Sequence, residues 1–116
     1  MENCIFCKIA NRIGDNQVQF HFEDDDIVAF DDIHPKAPVH ILVVSKNHIQ
    51  TLNDIDETHI GLVGKMILVA SKLAQAHRVD ETGYRLIFNT NNHAGQAVDH
   101  IHLHLLGGKQ LGKMVE

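Results

Sequence analysis

The sequence predicts an α+β domain, an antiparallel sheet of about five strands with one long and one short helix. Five segments either alternate apolar with polar residues or run β-branched, and one stretch of about twenty residues repeats its apolar positions at three- and four-residue steps. The strands come in adjacent runs on either side of that stretch, not one by one between helices, which favours antiparallel over parallel pairing. The 116 residues read as a single domain, 1–116, with no internal repeat, low-complexity run or linker.

Residues 4–12 suit a short helix with Ile5, Ile9 and Ala10 as its inner edge, ending around Gly14. "QVQFHFE" (17–23) alternates Val18, Phe20 and Phe22 against polar neighbours, and Asp24, Asp25 and Asp26 turn it into "IVAFDD" (27–32), giving a hairpin. Pro35 and Pro38 interrupt regular structure, after which "VHILVVSK" (39–46) is the most continuous apolar strand and so the central one. From about Asp56 to about His77, Ile60, Val63, Ile67, Ala70 and Ala74, joined by Met66 and Leu73, mark the long helix, with Asp54 or Asp56 as its N-cap. After Gly83, "YRLIFNT" (84–90) is a strand, "NNHAGQAV" a polar loop, and "DHIHLHLLGG" (99–108) the strand that completes the sheet.

Composition narrows the partners. A formal charge of −5 argues against a nucleic-acid duplex, which needs a basic surface, but leaves a mononucleotide open because backbone amides can hold one phosphate. No segment approaches a membrane span, and the N-terminus lacks an extended apolar run behind a basic start, so a cytoplasmic protein is expected. Cys4 and Cys7 lie too close together to staple a fold, and their spacing suits a metal better than a disulfide.

The last strand carries the chemistry. His100, His102 and His104 occupy alternate positions and share one face, while Ile101, Leu103 and Leu105 take the other. A merely solvated face is ordinarily built from Lys, Glu or Thr, whereas three imidazoles bring metal binding or proton transfer. With His40 on the "VHILVV" strand they offer enough nitrogens for a catalytic metal, yet alternate strand residues project almost in parallel, roughly 6.5–7 Å apart, and converge poorly on one ion. Covalent catalysis is the alternative. One imidazole attacks an electrophile such as phosphorus while its neighbours set its tautomer and polarise the oxygens.

"HIHLHLL" followed by "GG", with "CIFCKIA", "EDDDIVAFDDIHPKAPVHILVVSKNHI" and "GYRLIFNTNNHAGQAV" before it, resembles the histidine triad superfamily over nearly the whole chain, and within it the histidine triad nucleotide-binding branch. The resemblance implies that family's fold and hydrolysis at the α-phosphate of a purine nucleoside phosphoramidate. The route it implies is a nucleotidyl-histidine intermediate with no catalytic metal. It further implies His102 as nucleophile, His104 as a donor to the phosphate and His40 beside them. Asp32 matches the carboxylate that accepts the ribose hydroxyls, Ile33 lines the base, and Asn89, Gly95, Gln96 and Ala97 approach the phosphate. The chain departs from many relatives in reading Ala94-Gly95 where they carry two glycines, in having Ala97 in place of a serine, and in its short C-terminal tail. The departures bear on leaving-group preference rather than on reaction type.

In members that carry the cysteine pair, a structural zinc resembles the set Cys4, Cys7, His48 and His100; the competing reading makes the cysteines small buried hydrophobes on the first helix. The resemblance implies a homodimer, with the long helix and "YRLIFNT" in its interface. Two other functions stand beside the phosphoramidase: a dinucleoside polyphosphate hydrolase of the fragile histidine triad kind, and a nucleotide-binding scaffold with incidental catalysis.

Overall fold

The computed structural model describes residues 3–14 and 17–115. Five strands, β1 (Phe20–Glu23), β2 (Ile27–Asp31), β3 (Val39–Ser45), β4 (Tyr84–Ile87) and β5 (His102–Gly107), form one antiparallel sheet in the order β1-β2-β3-β5-β4. Two α-helices accompany it, α1 (Ile5–Ala10) and α2 (Ile60–Ala76). The α+β class holds, and β3 is the central strand. β5 does not sit at an edge. It lies between β3 and β4, because β4 folds back to pair along the edge that β3 leaves free.

The sheet's two faces have different fates. Ile27, Ala29, Ile41, Val43, Leu103 and Leu105 pack beneath α2 against Met66, Val69, Ala70, Leu73 and Ala74. Val28, Phe30, Leu42 and Val44 point the other way, where α1 contributes Phe6, Ile9 and Ala10. On α1 Ile9 and Ala10 are buried as expected, but Phe6 goes inside in place of the exposed Ile5, because Phe6 stands one turn before both of them and shares their face of the helix. On α2 the inner stripe is shifted as well. Ile60 and Ile67 stay exposed at 70 and 45% while Val69 goes inside with the expected Met66, Ala70, Leu73 and Ala74.

The lead-in to α2 is built from two 3₁₀ turns. Thr51 and Asp54 form a capping box on the first, and Asp56 with His59 on the second, so both aspartates cap, but they cap these turns and α2 starts at Ile60. The glycines ending β5 serve close approach. A Cβ at Gly107 would lie 2.9 Å from the Val79 Cβ, and Gly108 has φ +91° with Pro38 3.0 Å from where its Cβ would be.

Candidate active site

The face of the sheet opposite α2 opens into a cavity of ≈ 830 Å³ whose wall is largely apolar. Its floor is set by register. His40 pairs with Leu106 and His104 with Leu42 across β3 and β5, so the two histidines are diagonal neighbours on one face, and His40 Nε2 lies 2.9 Å from His104 Nδ1. His102 follows the same alternation, its ring centroid 4.9 Å from that of His104. His40, His102 and His104 all line the cavity.

Backbone groups determine which nitrogen of each imidazole holds the proton. The His102 Nδ1–H donates to the carbonyl of His100 at 2.7 Å, leaving the Nε2 lone pair free, as a nucleophile requires. The Lys36 amide donates to His40 Nδ1 at 3.0 Å, which places the His40 proton on Nε2. That proton faces His104 Nδ1, with Asp32 Oδ2 3.4 Å away, so His104 holds its own proton on Nε2 and is a donor there. The site thus presents one lone pair, on His102, and one proton donor, on His104, and main-chain groups set both.

All three are neutral at pH 7. Burial lowers the His102 pKa below the ordinary imidazole range. It takes His104 down to about 4, helped by the neighbouring His102 and His40. His40 is lowered by burial and by the Lys36 charge, against the pull of Asp32. A neutral His102 is the attacking form, so burial favours nucleophilicity at physiological pH.

Asp32 lines the cavity half-buried, with Oδ1 accepting the His34 amide at 2.8 Å in a tight turn. Ile33 projects at its rim, 84% exposed, and Asn89, Gly95 and Ala97 line it too. Gln96 does not. Its side chain braces the loop, donating to the carbonyls of Gln50 and Val98 at 2.8 and 3.0 Å and accepting the Asn91 amide at 2.9 Å. Sequence patterning does not mark Ile5, Phe6, Ile9, Val18 and Ile87 as site residues, yet they form much of the apolar wall. Their only signal in the chain is ordinary apolar periodicity.

His100 leaves the triad's common task. It precedes β5, is fully buried, and turns Nδ1 toward the sulfurs of Cys4 and Cys7 at 3.3 and 3.4 Å. His48 Nδ1 lies 3.2 Å from the Cys7 Sγ. One ligand atom from each of these four residues falls within 4.8 Å of the other three. The His100 Nε2–H donates to the Ser45 carbonyl at 2.7 Å, so Nδ1 presents a lone pair to the thiols, the arrangement in which metal-bound histidines are usually held. Two sulfurs and two imidazole nitrogens fit a closed tetrahedral site. Burial and the adjacent Cys4 push the Cys7 thiol up to about 11, so without a cation Cys7 stays protonated.

The fold is shared with proteins of known structure. A HIT family hydrolase from Legionella pneumophila is 50% identical, with a TM-score of 0.89 over 95% of this chain and 96% of that one. The chain belongs to the histidine triad family. A second HIT family hydrolase, from Clostridium thermocellum, gives 40% identity and a TM-score of 0.92 over 100% of this chain and 99% of that one. The purine nucleoside phosphoramidase of Escherichia coli (strain K12) is 47% identical over 98% of this chain and 94% of its own length. A family model described as "Scavenger mRNA decapping enzyme C-term binding" matches residues 3–115 of this histidine triad protein.

Proposed function

We propose that this chain is a purine nucleoside phosphoramidase, a hydrolase that cleaves the P–N bond of adenosine and guanosine 5'-phosphoramidates through a nucleotidyl-histidine intermediate. The observation that carries the reading is the His102 Nδ1–H bond to the His100 carbonyl, which aims an unprotonated Nε2 into a nucleoside-sized cavity. The 47% identity to the E. coli phosphoramidase supports the substrate class.

In this reading the His102 Nε2 lone pair forms a bond to the α-phosphorus. The P–N bond to the leaving amine breaks, its electron pair remaining on the nitrogen, which takes a proton from solvent water as it departs. Water then displaces His102, giving up a proton and releasing the nucleoside 5'-monophosphate. The His104 Nε2–H supports the negative charge that gathers on the phosphoryl oxygens. Amides of Ala97 and Val98, without a hydrogen-bond partner among the described residues, lie in the same wall and are available to those oxygens. Asp32 takes the ribose hydroxyls, while Asn89, Gly95 and Ala97 serve the phosphate side, on a loop that Gln96 braces. Ile33 and the α1 side chains pack the base.

The Cys4, Cys7, His48 and His100 cluster is read as a structural zinc site, supported by its donor set and the Ser45 carbonyl behind His100. Zinc bound there would tie α1 to the strands and takes no part in the chemistry. The protein is read as a cytoplasmic homodimer; among the described residues no helix is long and apolar enough to cross a membrane. The exposed Ile60, Ile67 and Leu68 of α2, beside an edge strand β4 whose residues are all half-buried, support that interface.

A fluorogenic adenosine 5'-phosphoramidate tests the reaction. Saturating substrate should be turned over by the wild type with or without a zinc chelator, and kcat should fall by at least about 10⁴-fold in His102→Ala. A variant that keeps its activity, or faster turnover of a dinucleoside polyphosphate than of the phosphoramidate, contradicts this function.

A further inference from the structure

We infer that Cys4 and Cys7 are positioning residues for the nucleoside wall of the active site, and that a transition metal at their cluster and a nucleotide in the cavity bind cooperatively. This rests on the metal reading of the cluster and goes beyond a merely structural ion. The two cysteines bracket the first turn of α1. Cys4 is the N-cap, its sulfur accepting the Cys7 amide at 3.3 Å. Ile5, Phe6 and Ile9 of the same helix line the cavity, and the Phe6 ring stands edge-on to His102 with centroids 5.0 Å apart. The helix that carries half of the thiol–imidazole cluster is therefore also the wall against which substrate and nucleophile pack.

The two halves of the cluster differ in how firmly they are held. His100 is fully buried and bonded to the Ser45 carbonyl at the end of the central strand. α1 has six residues, too few to be stable alone, and depends on the packing of Phe6, Ile9 and Ala10 and on the Asn11 side chain, which donates to the Lys46 carbonyl at 3.1 Å. A metal would join this short helix to the buried His100, which the Ser45 carbonyl already holds in place. A nucleotide that packs on Phe6 orders the same helix from the other side. Each ligand thereby lowers the ordering cost of the other, and the coupling is reciprocal.

The chemistry itself should be insulated. The His102 tautomer depends on the His100 carbonyl, and the His100 ring on the Ser45 carbonyl, and neither bond needs the metal. Loss of metal should therefore weaken nucleotide binding and raise KM while leaving kcat in place, a split that general loosening of the fold would not produce.

The test uses the full chain, zinc as the metal and adenosine 5'-monophosphate as the nucleotide, with zinc content checked by direct metal analysis. Calorimetry should show nucleotide affinity falling about tenfold when zinc is stripped, with KM moving by the same factor and kcat unchanged. Competition with a chromophoric chelator should show zinc held about tenfold more tightly when nucleotide is saturating. His48→Gln, which removes a ligand lying on neither α1 nor β5, should bind nucleotide as weakly as the stripped wild type and gain nothing from added zinc. His48→Cys should restore both affinities.

Equal nucleotide affinity in loaded and stripped protein overturns the inference, as does a loss that appears in kcat instead of KM. A stripped protein that is unfolded by far-UV circular dichroism overturns it too, because the metal would then hold the whole fold and not this wall. Wild type that takes up no zinc overturns the metal reading, and loaded protein that binds no nucleotide overturns the nucleotide reading, each taking this inference with it.

Discussion

Replacing His104 by Asn should make the protein less sensitive to acid. In the folded state burial and the adjacent His102 and His40 take the His104 pKa down to about 4, from an ordinary value near 6.5. Above pH 6.5 neither the folded nor the unfolded chain protonates this ring, and it contributes nothing. Between 6.5 and 4 the unfolded chain binds a proton that the folded chain does not, so stability falls as pH drops; below 4 both forms are protonated and the loss levels off. A difference of about 2.5 pH units at 1.36 kcal/mol each makes the full loss roughly 3 kcal/mol, about 2 kcal/mol of it by pH 5. Asn keeps a polar group of similar size but cannot titrate. Urea unfolding of both proteins at pH 7, 6, 5 and 4.5, with chelator present so that the thiol cluster contributes equally, should show the wild type losing more stability than His104→Asn as pH falls. Parallel curves would refute the reasoning, because they would mean that His104 titrates alike in folded and unfolded chains.

The two glycines that end β5 should fail differently when changed to alanine. Gly107→Ala drives a Cβ to 2.9 Å from the buried Val79 side chain and should lower stability by about 1–3 kcal/mol through overpacking. A Val79→Ala background should recover part of that loss in urea titrations. Gly108→Ala is strained by its backbone, at φ +91°, and by Pro38, so the same Val79→Ala change should give it no relief. If the proposed dimer forms through α2, Ile67→Glu with Leu68→Glu on its exposed face should yield a monomer in sedimentation without loss of helix content, since both side chains already face outward. A persistent dimer would place the interface elsewhere.

Much of the fold was legible because its signals are local. Period-two alternation in "QVQFHF" and "HIHLHL" reflects strand geometry at each residue, and the run of Met66, Ala70, Leu73 and Ala74 reflects the helical repeat, whatever the rest of the chain does. Boundaries were less legible. β1 begins at Phe20 and β4 ends at Ile87, short of the apolar patterns, because pairing stops where a partner strand stops. The inner stripe of α2 took Val69 in place of Ile60 and Ile67, since apolar residues on two faces of a helix leave the sequence unable to say which face meets the sheet.

The sequence by itself determined that His102 and His104 share a face, that His40 lies on a central strand, and that the spacing of Cys4 and Cys7 suits a metal better than a disulfide. Only the tertiary structure decided what each histidine does. His100 follows the same alternation as its neighbours, yet it is drawn to thiols 93 and 96 residues away in the chain, and β5 is an interior strand because β4 folds back along its outer side. The proton positions were invisible for a deeper reason. The Lys36 amide and the carbonyls of Ser45 and His100 select the tautomers, and such backbone groups are chemically alike at nearly every residue, so only their placement in space gives them a role.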